Sequence, residues 1–172
     1  NRVGGTFVES VANIVTAATD MSAEQNVSYD VEMLTPTLGI VVWKTYFEGT
    51  GSGFIYGRPF TVSGNVITLV ASPTALDTVT SSGRQRFPKV TRLNDDLAVL
   101  SYWGSTTAFT PLVRGIRFVG TSLTVSANVT TTSSNPDGAG SVPIEVKRIS
   151  NTSFICATQY NDVTNGTVSY TH

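Results

Sequence analysis

The sequence predicts an all-β fold of three propeller-like, four-stranded antiparallel blades, the third split between the two termini, with a β-trefoil as the alternative. Three observations lead there. A unit of about 57 residues recurs three times across the 172-residue chain, a period that signals a propeller, a solenoid or a pseudo-symmetric β fold. The unit's second strand is continuously apolar, which requires cover on both faces. No stretch sustains helical periodicity, and 40% hydrophobic against 13% charged residues suits a single β-rich domain with its own core.

The elements follow in order. Phe7 to Met21 is the nearest thing to a helix, but its Val, Ile and Thr content favours a strand followed by a loop. The first repeat, 23–80, opens with Val31-Glu32-Met33-Leu34, a polar turn, and Leu38-Gly39-Ile40-Val41-Val42-Trp43. Its second half runs from Gly53 to Arg58 and on through Phe60 to Thr68, two β-runs joined at Ser63-Gly64-Asn65. The second repeat, 81–134, carries Val90-Thr91-Arg92-Leu93, the turn Asn94-Asp95-Asp96, the run Leu97 to Tyr102, and a hairpin from Leu112 to Thr124 turning at Gly120-Thr121.

The third repeat, 135–172, carries Val146-Lys147-Arg148-Ile149, the turn Asn151-Thr152-Ser153 and Phe154-Ile155-Cys156-Ala157, and is completed by 1–22. Gly166 to Tyr170 matches the third strand of the unit, and Val3 to Val8 matches its turn and fourth strand. A strand pair lacking one member leaves a row of unpaired backbone groups, so the split unit must be closed within one chain or across two. Val3, Phe7, Val168 and Tyr170 are therefore the candidate self-association residues. A propeller packs its inner strands between neighbouring blades, whereas most trefoil strands cover a core on one side only, and the continuous apolar runs favour the propeller.

The stretch from Phe87 to Trp103 resembles the blade signature of tandem β-propeller repeats in secreted bacterial proteins and phage virion proteins, and Phe60 to Thr68 is similar to that family's outer hairpin. The resemblance implies a fold and an extracellular, cell-surface or virion setting, without implying a chemistry. Single-chain propellers have about four to eight blades, and three do not comfortably close a ring. Two chains exchanging terminal strands would give a six-bladed ring, and a head-to-tail arrangement that does not close would give a filament.

Chemistry is sparse. A net charge of −1 argues against nucleic acid, and the groups Arg84, Arg86, Lys89, Arg92 and Lys147, Arg148 read as solvated strand faces. No apolar run is long enough for a membrane span. The first residue is Asn1 rather than Met, which predicts a processed form or an excised part of a longer chain. The single histidine, His172, is the last residue and a poor member of a catalytic triad. Asn94-Asp95-Asp96 could offer oxygens to Ca²⁺, but the equivalent turn Thr35-Pro36-Thr37 carries none of its carboxylates, so a polar turn is the expectation. Asp30, Glu32, Asp95, Asp96, Glu145 and Asp162 are scattered in a way that suggests solvent-facing sites. Cys156, the only cysteine, lies in an apolar run that predicts a buried structural thiol.

These readings give a protein without catalysis, metal or cofactor. Tyr46, Trp103 and Tyr160, near the ends of the apolar strands, are candidates for stacking on sugar faces, and the competing reading makes such aromatics plugs of the core. Four N-x-Ser/Thr sequons place candidate N-glycosylation at Asn26, Asn128, Asn151 and Asn165. The expected function is a non-enzymatic extracellular or virion structural protein that self-associates into a ring or filament. The alternative is a carbohydrate-binding, lectin-like domain for surface or host attachment.

Overall fold

A computed structural model describes residues 28–47, 52–79, 86–104, 110–127, 129–130, 144–160 and 167–171. Among these residues every regular element is a β-strand and every pairing is antiparallel. The first sheet is a meander of β1 (Tyr29–Met33), β2 (Leu38–Phe47) and β3 (Ser52–Ser63). Two short strands share the outer edge of β3: β4 (Val66–Leu69) pairs with Phe60 to Ser63, and β5 (Thr74–Val79) with Gly53 to Gly57. The expected fourth strand is therefore broken into two pieces, with residues 70–73 stepping between them. Val70 N–H still donates to the Pro59 carbonyl at 3.3 Å, so the step keeps its tie to β3.

The second sheet repeats this plan with β6 (Arg86–Arg92), β7 (Leu97–Gly104) and β8 (Thr110–Val119), while β9 (Ser122–Val125) and β10 (Val129–Thr130) divide the outer edge of β8. Ser126 N–H donates to the Gly115 carbonyl at 2.9 Å, the counterpart of the Val70 to Pro59 bond. The third sheet is β11 (Glu145–Arg148), β12 (Phe154–Tyr160) and β13 (Thr167–Thr171), in that order. In it β13 takes the place of β3 and β8, with Val168 opposite Gln159 and Tyr170 opposite Ala157. Val3 and Phe7, expected in the fourth-strand position, lie outside the described residues.

Local chemistry explains the shared turns. Gly64 and Gly120 adopt φ of 59° and 61° at the first central position of two-residue hairpin loops, where a side chain would be strained. The turn after each first strand is closed by one carbonyl taking two amides: Leu38 from Leu34 and Thr35, Leu97 from Leu93 and Asn94, Ser153 from Ile149 and Ser150. The third turn thus comprises Ser150, Asn151 and Thr152. This corrects the sequence alignment by one residue, because Ser153 closes the turn as Leu38 and Leu97 do, just before β12.

Continuous apolar strands do mean two covered faces. Ala98, Leu100 and Tyr102 of β7 join a core shared with Ile40 and Val42 of the first sheet, whereas Val99 and Trp103 join a second core shared with Val146 and Cys156 of the third. The second sheet is therefore packed between the other two. Burying a side chain such as Leu100 contributes roughly 1.5–3 kcal/mol. Close backbone approach between sheets is concentrated at the first strands, where β6 meets β1 and β2 on one side and β11 on the other.

Candidate functional site

Each sheet has a leading face, turned toward the sheet before it, and a trailing face, turned toward the sheet after it. Among the described residues, polar groups join the sheets where a trailing face meets the next leading face. Residues Asp30 and Glu32 of β1 point toward β6 because they share a face with their partners Val42 and Ile40, which lie in the first core. There the Asp30 carboxylate accepts Val90 N–H at 3.0 Å and the Glu32 carboxylate accepts Arg92 N–H at 3.1 Å. Both amides belong to the edge of β6 that β7 does not pair. The two carboxylates thus satisfy backbone donors that an uncovered strand edge would leave open. Their expected solvent-facing role is corrected: Asp30 and Glu32 are partly buried and carry the contact between sheets.

The same junction recurs between the second and third sheets with milder chemistry. Thr91, in the position of Glu32, donates its hydroxyl to the Val146 carbonyl at 3.3 Å, and Ser101 donates to the Ile144 carbonyl at 3.2 Å. Asn94 Nδ2 donates to the Asn151 carbonyl at 3.1 Å, joining the two turns.

Farther from the first strands lies a cluster that the sequence did not single out. Asp77 of β5 is buried, accepts the Tyr102 hydroxyl at 2.6 Å through Oδ2, and faces Arg114 Nη2 at 3.5 Å through Oδ1. Arg114 also donates through Nη1 to the Leu76 carbonyl. Asp77 comes from the first sheet and its two partners from the second. The arrangement can fasten two sheets together.

The remaining charged candidates are mostly paired at the surface. Lys89 lies 3.8 Å from Asp30, Arg92 is joined to Asp95, and Arg117 lies 3.9 Å from Asp96. Asp96 N–H donates to Asn94 Oδ1 at 3.0 Å, so the Asn94-Asp95-Asp96 turn uses its oxygens internally. Glu145, Lys147 and Arg148 are exposed.

Of the three aromatic candidates, only the Trp103 side chain is among the described residues. Trp103 is only 2% exposed and packs in the second core, which corrects its expected surface position: β7 has two covered faces, and a residue at its end is enclosed like the rest. Tyr46 and Tyr160 lie on β2 and β12, and their side chains fall outside the described residues. Asn151 is exposed on the turn between β11 and β12, with its Oδ1 accepting from Arg148. Asn26, Asn128 and Asn165 lie outside the described residues, as do Arg84, Asp162 and His172.

Cys156 is buried in the second core, and desolvation pushes its thiol up to about 11. An unfolded thiol titrates near about 8.5, so the unfolded chain sheds its proton first as pH rises. The contribution is therefore fully present below about pH 8.5 and is lost as pH rises toward 11. The native protein is expected to resist a thiol-labelling reagent at pH 8 until denaturant is added, and Cys156→Ala should flatten the fall in stability between pH 8.5 and 10.5; rapid native labelling would contradict this burial.

No protein-family model, curated protein or solved structure matches the chain.

Proposed function

We propose that this is a non-enzymatic structural protein, built from propeller-like blades and self-associating through its terminal strands into a ring or filament. Its setting on this reading is extracellular, at a cell surface or in a virion. The observation that carries it is the exposure of Val31 and Ile149, whose counterparts Val90 and Leu93 are buried between sheets. The sequence match of Val3 to Val8 to the fourth strand of the unit supplies a donor for the outer edge of β13, and a donor from a second copy would join chains. Convergence of the three sheets on their first strands supports a radial, propeller-like arrangement. The use of polar groups to join sheets supports architecture over catalysis.

The test is deletion of residues 1–8. The intact chain is expected to be multimeric at micromolar concentration by light scattering, and the deleted chain monomeric. A parent chain that is monomeric, or multimers that survive the deletion unchanged, would refute the reading.

A further inference from the structure

We infer that the leading face of the first sheet docks on the trailing face of the third sheet of a second copy, by the rule that already joins the sheets inside one chain. This inference rests on the self-association reading and adds the surface and the contacts. The turn bonds and strand registers make Val31, Val90 and Val146 equivalent, and likewise Leu34, Leu93 and Ile149. Val90 and Val146 are 4% and 5% exposed because a preceding sheet covers them, whereas Val31 is 47% exposed. At the other end Leu34 and Leu93 are 0% and 3% exposed beneath a following sheet, whereas Ile149 is 60% exposed. Each residue is bare only where the neighbouring sheet is missing.

The polar groups follow the same rule. Glu145 stands in the position of Asp30, and Val31 in the position of Val90, so the Glu145 carboxylate of one copy is placed to accept Val31 N–H of the next, as Asp30 accepts Val90 N–H. Deeper on the leading face Val41 and Trp43 are 4% and 0% exposed, so that part is already covered within one chain and the docking contact is confined to the β1 end of the face.

The occupant is a second copy of this chain because its third sheet offers the matching acid, the matching apolar tip and the matching backbone register. The experiment mixes Val31→Cys protein with Glu145→Cys protein under mild oxidation. Both positions lie at the surface of the free chain or near it, and Cys156 is buried. A disulfide-linked heterodimer that neither variant forms alone is expected on a non-reducing gel. In parallel, Ile149→Asp is expected to weaken association at least about tenfold by light scattering, since it places a charge where an apolar side chain should be covered. Multimers that depend on residues 1–8 but give no 31–145 disulfide and ignore Ile149→Asp would overturn this docking face and leave self-association standing. A parent chain that stays monomeric would overturn both.

Discussion

Asp77→Ala is expected to lower the unfolding free energy by about 3–5 kcal/mol, the range for breaking one partner out of a buried ionic contact. Asp77 touches both Tyr102 and Arg114, at 2.6 Å and 3.5 Å. Its removal takes from the Tyr102 hydroxyl and the Arg114 guanidinium, both on the second sheet, the acceptor that the first sheet offers them. The loss should appear in urea titration as a lower midpoint with little change in slope. Asp77→Asn keeps an acceptor for the Tyr102 hydroxyl and is expected to fall between the parent and Asp77→Ala. A double variant, Asp77→Ala with Arg114→Met, should recover part of the loss, because the stranded charge goes with its partner. An Asp77→Ala protein within about 1 kcal/mol of the parent would show that the cluster is open to water and behaves as a surface pair.

The same cluster shows where reading the sequence stops. The apolar runs Ile40 to Trp43 and Leu97 to Leu100 announce their two-faced burial through composition alone, and Gly64 and Gly120 announce their hairpins through backbone chemistry. Asp77 has no such local signal. It sits in the second piece of a broken strand, after Pro73, and its partners are 25 and 37 positions away in another sheet. Asp30 and Glu32 look like the polar half of an alternating strand, and only the approach of the β6 edge turns them into acceptors. Trp103 was misplaced for a related reason. Next to each other at the end of β7, Tyr102 and Trp103 point to opposite faces, and both faces are cores. The one-residue shift at Ser153 reflects its composition: a serine in the position of Leu38 and Leu97 looks like turn, and the carbonyl that closes the turn there leaves no mark in the side-chain pattern.

The junctions differ in strength in a way that the composition of the first strands dictates. Among the described residues the first and second sheets are joined by charged acceptors, Asp30, Glu32 and Asp77, whereas the second and third are joined by neutral donors, the hydroxyls of Thr91 and Ser101 and the Asn94 amide. Hydrogen bonds involving an ionised partner contribute roughly twice as much as neutral ones. The junction to the third sheet should therefore open before the junction between the first and second. On the self-association reading the weaker sheet is the one that a second copy reinforces, through both the edge of β13 and the trailing face that bears Glu145 and Ile149.

Asp30→Ala combined with Glu32→Ala should produce the other large effect, because it strips two charge-assisted bonds from one strand edge. Each carboxylate-to-amide bond is expected to contribute about 1.5–3 kcal/mol, and the two sites are close enough that their sum need not be additive. The Lys89 contact to Asp30, at 3.8 Å and partly exposed, adds little. What matters is the pair of amides, Val90 and Arg92, left facing a partly buried junction without acceptors. Amide hydrogen exchange reads this directly: both should lose protection in the double variant, while Leu100, in the centre of β7, keeps its own. Asp30→Asn and Glu32→Gln retain a side-chain oxygen in place and should restore most of the protection at Val90 and Arg92. If the alanine variant kept full protection at these two amides, the carboxylates would be surface charges resting near β6, and the rule proposed for docking a second copy would lose its template.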